Sequence, residues 1–139
     1  MAYLLDTNIV SALRRPERLE DGPRRFLDTL NERNGFVSVM TILEIETGIL
    51  QKQRVDAKQG ARLRIWFETW RRTFPSAHVL PITEGIAIRC AGLHIPNPRP
   101  AIDALIAATA VEHSLTLVTR NVTDFRSVAG CRTLDPWSE

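Results

Sequence analysis

Tyr3-Leu4-Leu5-Asp6 is the stretch on which the fold turns. Three apolar residues make a short buried strand, and a carboxylate stands directly at its end. Over residues 9–15 the pattern becomes helical, and Pro16 stops it, because proline cannot continue a helix. The same alternation repeats along the chain. Phe36-Val37-Ser38-Val39 reads as a second strand, followed at once by a helix over residues 42–51. His78-Val79-Leu80 is a third strand, with a helix over 84–90 after it. Leu115-Thr116-Leu117-Val118 is a fourth, and Arg132-Thr133-Leu134 a short last one. Strands alternating with helices predict parallel pairing in an α/β sheet with right-handed crossovers.

The remaining segments supply the covering layers. Phe26, Leu27 and Leu30 suit a helix between the first two strands. Leu63, Trp66, Phe67, Trp70 and Phe74 recur at i, i+3, i+4, i+7 and i+11, one face of a long amphipathic helix. Core packing or a subunit contact accounts for that stripe. The opposite face carries Arg62, Arg64, Glu68, Arg71 and Arg72, a solvated face with Arg64 and Glu68 at helical spacing. Residues 101–113 are apolar nearly all round, so their helix is buried on most sides. Ile95-Pro96-Asn97-Pro98-Arg99-Pro100 has proline at every second position and reads as a stiff connection.

A length of 139 residues predicts one compact domain over 1–139, large enough to bury a core without disulfide or metal staples. With 44% hydrophobic and 24% charged residues, the composition is that of an ordinary globular protein. No apolar run reaches the roughly 18 residues of a membrane span. The opening residues lack a basic lead and a long apolar segment, so no signal peptide is expected. Cys90 and Cys131 make no disulfide framework, which predicts a reducing, cytoplasmic setting and no membrane. Eighteen bases against 16 acids leave +2, which excludes a histone-like tail and an acidic disordered tract. Only Lys52 and Lys58 among the bases are lysines. Arginine suits bidentate phosphate contacts, although GC-rich coding gives the same bias. Arg14 and Arg15 are placed to serve the dipole at the first helix's end, or to lean toward an anionic backbone.

In an open parallel sheet, ligands bind beyond the carboxyl ends of the strands. Asp6 follows the first strand, and Glu44 falls in the first turn of the helix after the second. Asp103 opens the buried helix, and Asn121 and Asp124 follow the fourth strand. Each has an ordinary structural reading. Thr41 and Glu44 match a capping box with Thr41 at the N-cap. Asp6 suits a helix cap, Asp103 a positive helix N-terminus, and Asp124 a turn.

Together they argue for more. Asp103 stands on an otherwise apolar helix, where an unpaired carboxylate is expensive. Clustered carboxylates raise one another's pKa unless a cation intervenes, and an all-oxygen site suits Mg²⁺ or Mn²⁺. His78, His94 and His113 fit no zinc spacing, and neither cysteine lies in a CxxC pair. An acidic metal site acts characteristically on phosphates. A glycine-rich phosphate loop is absent, which excludes a P-loop NTPase. Asp6-Thr7-Asn8 also lacks the second acid of an aspartyl-phosphate phosphatase.

Four fragments in order carry a resemblance across nearly the whole chain. They are Leu4-Leu5-Asp6-Thr7-Asn8; Ser38-Val39-Met40-Thr41-Ile42-Leu43-Glu44-Ile45 followed by Gly48; Asp103-Ala104-Leu105-Ile106-Ala107-Ala108-Thr109-Ala110; and Leu117-Val118-Thr119-Arg120-Asn121-Val122-Thr123-Asp124-Phe125. With the closing Pro136-Trp137, they resemble the PIN-domain family, in particular VapC-type ribonuclease toxins of bacterial type II toxin–antitoxin operons.

The resemblance implies a three-layer α/β/α sandwich with a central, mainly parallel sheet. It implies a Mg²⁺-dependent endoribonuclease whose metal is held by the acids matching Asp6, Glu44 and Asp103. Thr7, Asn8 and Thr119 would give polar support. The family's fourth acidic position falls on Asn121, with Asp124 one turn later, and residues 93–100 are shorter than the family's usual connection. An activated water would cleave RNA to leave a 5′-phosphate and a 3′-hydroxyl. The implied partners are an RNA substrate, a small antitoxin and a second copy in a homodimer. The alternatives are a non-catalytic RNA- or protein-binding module, and a DNA or RNA-processing nuclease with the same metal site. Setting the three acids aside leaves 18 bases against 13 acids, an acidic pocket in a basic surface.

Overall fold

The structure is a computed structural model and describes residues 1–138. Strand β1, Tyr3–Leu5, lies at the centre of a five-stranded sheet. On one side stand β2 (Gly35–Ser38) and then β3 (Val79–Leu80); on the other stand β4 (Thr116–Val118) and β5 (Thr133–Leu134). All four pairings are parallel, so the sheet expected to be mainly parallel is wholly so. The chain builds outward to β3, then crosses back to lay β4 on the far side of β1. The order reverses between β1 and β4, where such sheets open a crevice at their carboxyl edge.

Strand periodicity sorts the core into two faces. Leu4 and Leu117 point to one, against Ile106, Ala107, Ala110 and Phe125. Leu5, Val37 and Val118 point to the other, against Ile9, Val10, Phe26, Ile45, Ile49 and Phe67. Helices α1 (Thr7–Ala12), α2 (Asp21–Thr29), α3 (Val39–Val55) and α4 (Ala57–Thr73) cover this second face. Helices α6 (Ala101–Glu112) and α7 (Val122–Phe125) cover the first. Helix α5 (Glu84–Leu93) packs on α6 through Ile86 and Cys90 against Ala104 and Ala108. This is a three-layer α/β/α sandwich. It explains the all-round apolarity of α6, which has the sheet on one side and α5 on another.

Among the boundaries that differ from the sequence expectation, the start of α3 and the end of α1 matter for the site. Ser38 ends β2 and also caps α3, accepting the Met40 N–H at 3.0 Å. The helix therefore starts at the strand end with no intervening turn. Thr41 is then a fully buried residue inside the first turn, and Glu44 lies one turn further on. The Thr41–Glu44 capping box is thus corrected, because Ser38 already fills the cap. Helix α1 ends at Ala12 with no basic residue in its last turn, so Arg14 and Arg15 lie beyond it.

Asp56 joins α3 to α4, ending one helix and accepting the Gln59 N–H at 3.1 Å to begin the next. The two pack closely at Gly60, where an added Cβ would stand 2.7 Å from the Gln53 Cα. Arg64 forms a bidentate pair with Glu46 of α3 at 2.6 and 2.7 Å and reaches the expected Glu68 at 3.6 Å. The aromatic stripe is core packing, with Phe67 fully buried and Leu63, Trp66, Trp70 and Phe74 around it. Phe67→Ala should lower the unfolding free energy by about 3–5 kcal/mol. In urea titration the midpoint should fall with an unchanged slope. A loss below about 1 kcal/mol would contradict Phe67's place at the centre of this layer.

Candidate active site

Asp6 is 4% exposed at the end of β1. Its N–H donates to the Val118 carbonyl at 2.9 Å, which ties it to β4. Oδ1 accepts from the Thr7 N–H at 2.8 Å and so caps α1, as the strand–acid–helix order predicts. Oδ2 accepts from the buried Thr119 hydroxyl at 2.7 Å. Thr119 is itself fixed by its N–H to Leu134 of β5 at 2.9 Å. Burial raises the Asp6 pKa above its ordinary value, the bonds from Thr119 and Thr7 pull it down, and the Glu44 charge pushes it up again.

Glu44 projects from the second turn of α3, and its Oε1 accepts from the Thr7 hydroxyl at 2.6 Å. The Thr41 hydroxyl lies 3.1 Å from the Thr7 hydroxyl. Asp103 stands in the first turn of α6, as expected. Its pKa is raised by burial first, then by the charges of Asp6 and Asp124. Helix α6 precedes β4 and runs back along the sheet, so its N-terminus lies at the carboxyl edge. Asp6, Glu44, Asp103 and Asp124 thus come from four segments into one electrostatic neighbourhood.

Asn121 is exposed, and its backbone N–H donates to the Thr119 hydroxyl oxygen at 3.0 Å. Its side chain caps nothing. Asp124 is exposed on α7 and shares with Asp103 the rim of a cavity of about 190 Å³. Asn8, two residues after Asp6, has a buried Oδ1 without a hydrogen-bond partner. Such an orphaned acceptor is uncommon in a folded interior and suits a cation or a water.

The donors fit a hard divalent cation by their chemistry, since they are carboxylate, hydroxyl and amide oxygens. They are not drawn onto one point. Among the described residues no three His, Cys, Asp or Glu side chains stand close enough to form a ligand set. Two of the three histidines are occupied elsewhere. His78 Nδ1 donates to the Gly35 carbonyl at 2.8 Å, and its ring stacks on Phe36. His94 Nδ1 accepts from the Arg99 N–H at 3.0 Å.

Arg99 is a site-shaping residue that periodicity could not reveal, because it sits in the proline-rich connection. Its Nε donates to the Leu93 carbonyl at 3.0 Å, and its guanidinium reaches the Asp124 carbonyl at 3.4 Å and the Ser127 hydroxyl at 2.7 Å. It ties α5 to α7 beside Asp103 and Asp124. An arginine between two prolines, with no helical face to occupy, was the available sign.

A family model described as PIN domain matches residues 3–130. Over 68 residues the chain is 43% identical to Ribonuclease VapC14 of Mycobacterium tuberculosis, a stretch that is 49% of this chain and 65% of that protein. It is 30% identical over 141 aligned positions to Toxin FitB of Neisseria gonorrhoeae, covering 98% and 99% of the two chains. A crystal structure of FitAcB from the same organism matches with a TM-score of 0.84 and 28% identity over 99% of both chains. A toxin–antitoxin complex from Klebsiella pneumoniae matches with a TM-score of 0.66 and 26% identity, covering 99% of this chain and 100% of that one. The match over most of its length, together with a sandwich whose order reverses at Asp6, places this chain in the PIN-domain family.

Proposed function

We propose that this chain is a metal-dependent endoribonuclease and the toxic component of a type II toxin–antitoxin pair. The observation that carries this reading is Asp6, a buried carboxylate at the switch point of the sheet with Glu44 and Asp103 in its field. The names of its relatives, a ribonuclease and a toxin, support it. Residues 1–139 act as one PIN unit.

Asp6, Glu44 and Asp103 would hold Mg²⁺, or Mn²⁺ in its place. When bound, such an ion neutralises the clustered charge and makes a water nucleophilic near pH 7. The chain's own groups then do the positioning. Thr119 holds Asp6 Oδ2, and Thr7 holds Glu44 Oε1, so that neither carboxylate turns freely. Each carboxylate oxygen keeps further acceptor capacity beyond these bonds. Asn8, Asn121 and Asp124 give outer polar support. Water attacks the RNA phosphorus, and the 3′-oxygen leaves with a proton, giving a 5′-phosphate and a 3′-hydroxyl. A small antitoxin binds the chain and suppresses it, as the toxin–antitoxin complex among its structural neighbours supports. The working form is a cytoplasmic homodimer.

Purified protein should cleave single-stranded RNA with Mg²⁺ and lose that activity in EDTA. Asp6→Asn and Asp103→Asn should each lower the rate by more than about 100-fold, beyond the usual cost of losing a supporting hydrogen bond. Thr119→Val removes only such a support and should cost about 10–100-fold. Full activity in both aspartate variants would sink the metal-site assignment. A folded chain that binds RNA and never cleaves it would favour the non-catalytic module.

The charge stress has its own consequence for the metal-free protein. A carboxyl whose pKa is raised on folding contributes most below its unfolded pKa, ordinarily 3.8 for aspartate, and loses that contribution as pH rises through the folded value. In EDTA at pH 7, Asp103→Asn should therefore unfold at a higher temperature than the parent chain. The gap should narrow as pH falls through the folded pKa toward 3.8. A lower midpoint at pH 7 would show that Asp103 is a stabilising charge instead.

A further inference from the structure

Arg14, Arg15, Arg18 and Arg120 line one groove of about 330 Å³, with Trp137 as an apolar wall and Glu20 as its one acid. Other arginines serve as struts. Arg64 pairs with Glu46, Arg89 lies 3.6 Å from Glu112, and Arg132 donates to the Ser114 carbonyl. Among the described residues none of the four groove arginines forms an ion pair. Burial first, and then the charges of Arg15 and Arg18, lower the pKa of the Arg14 guanidinium from its usual range. The Arg120 guanidinium lies 4.3 Å from the Trp137 ring centroid, a cation–π contact that holds it in place without neutralising it.

Arg14 and Ser11 line both this groove and a second cavity that Thr7 and Glu44 also line, which connects the groove to the acids. Arg120 follows Thr119, whose hydroxyl holds Asp6. Arg14 and Arg15 follow α1, which begins directly after Asp6 and is six residues long. Six residues of helix span about 9 Å. Arg14 and Arg15 directly follow the α1 cap, so the helix dipole can engage them, but it does not account for Arg18 and Arg120, which come from other segments of the same groove. A guanidinium's fork of donors matches phosphate oxygens.

We propose that this groove is a track for the phosphates of single-stranded RNA, gripping the backbone beside the bond presented to Asp6. This inference rests on the nuclease reading for its substrate. Charge then separates two roles in space. The arginines draw the polyanion in, and the acids act on a neighbouring phosphate.

The test combines two measurements on the full chain. Binding of a fluorescent single-stranded RNA is followed by anisotropy in EDTA over a range of salt, and cleavage kinetics are measured with Mg²⁺. Arg14→Ala, Arg18→Ala and Arg120→Ala should each weaken binding, with log K falling less steeply against log salt by about 0.7 for each phosphate no longer neutralised. KM should rise while kcat holds, as expected when uniform binding is removed. The lysine variants keep the charge and should restore most of the salt slope. Thermal unfolding confirms that each variant is folded. Unchanged salt slope and KM, or a fall in kcat alone, would overturn the track while leaving the nuclease reading intact. Displacement of the RNA by polyglutamate as readily as by unlabelled RNA would also overturn it, and would point to an acidic protein segment. Salt-dependent binding that the variants weaken, without any cleavage, would uphold the track and overturn the nuclease reading.

Discussion

The Thr119 hydroxyl donates to Asp6 Oδ2 at 2.7 Å across the junction of β1 and β4, in a place where both residues are almost fully shut off from water. A carboxylate there bears a desolvation cost, and a hydrogen bond to a charged group returns about 1.5–3 kcal/mol. Thr119 and Thr7 both donate, yet burial still prevails and the pKa of Asp6 remains raised. The fold thus holds a charged group where it is not fully compensated. Asp103, entering from α6, has its own pKa raised by the same neighbourhood. On the proposed reading, a hard cation bound there would relieve both at once, and that relief would be the reason three acids stand on an edge whose nearby layers are otherwise apolar.

Topology gives that arrangement its precision. The reversal of strand order beside β1 brings residues 6 and 119 together although 113 positions separate them. Helices α3 and α6 deliver Glu44 and Asp103 to the same edge, because each helix starts where the sheet's carboxyl ends lie. Arg99 braces the outer side by tying α5 to α7. The arginine groove lies past the end of α1, so opposite charges remain segregated instead of cancelling in internal ion pairs.

The sheet and its two faces were legible because alternation is a strong pattern: Leu4 and Leu5 go to opposite layers, as do Leu117 and Val118. Asp6 and Asp103 were legible because a carboxylate beside apolar residues needs a reason. The start of α3 was not. Ser38 is both the last strand residue and the helix cap, and local propensity does not reveal a residue with two roles. The capping-box match at Thr41 and Glu44 was therefore a coincidence of spacing, and Thr41 instead lies against Thr7 from a separate segment. The grouping of Arg18 with Arg120 and Trp137 was equally invisible, since it depends on tertiary closure of distant segments.

The central claim is that the acids at this edge form a site for a hard divalent cation. Titration of the metal-free chain with Mn²⁺, followed by the loss of the free-ion electron paramagnetic resonance signal, tests it without reference to any substrate. The account predicts saturable binding by the parent chain, abolished in the folded Asp6→Asn/Asp103→Asn double variant. Equal Mn²⁺ uptake by the parent and the double variant would contradict it.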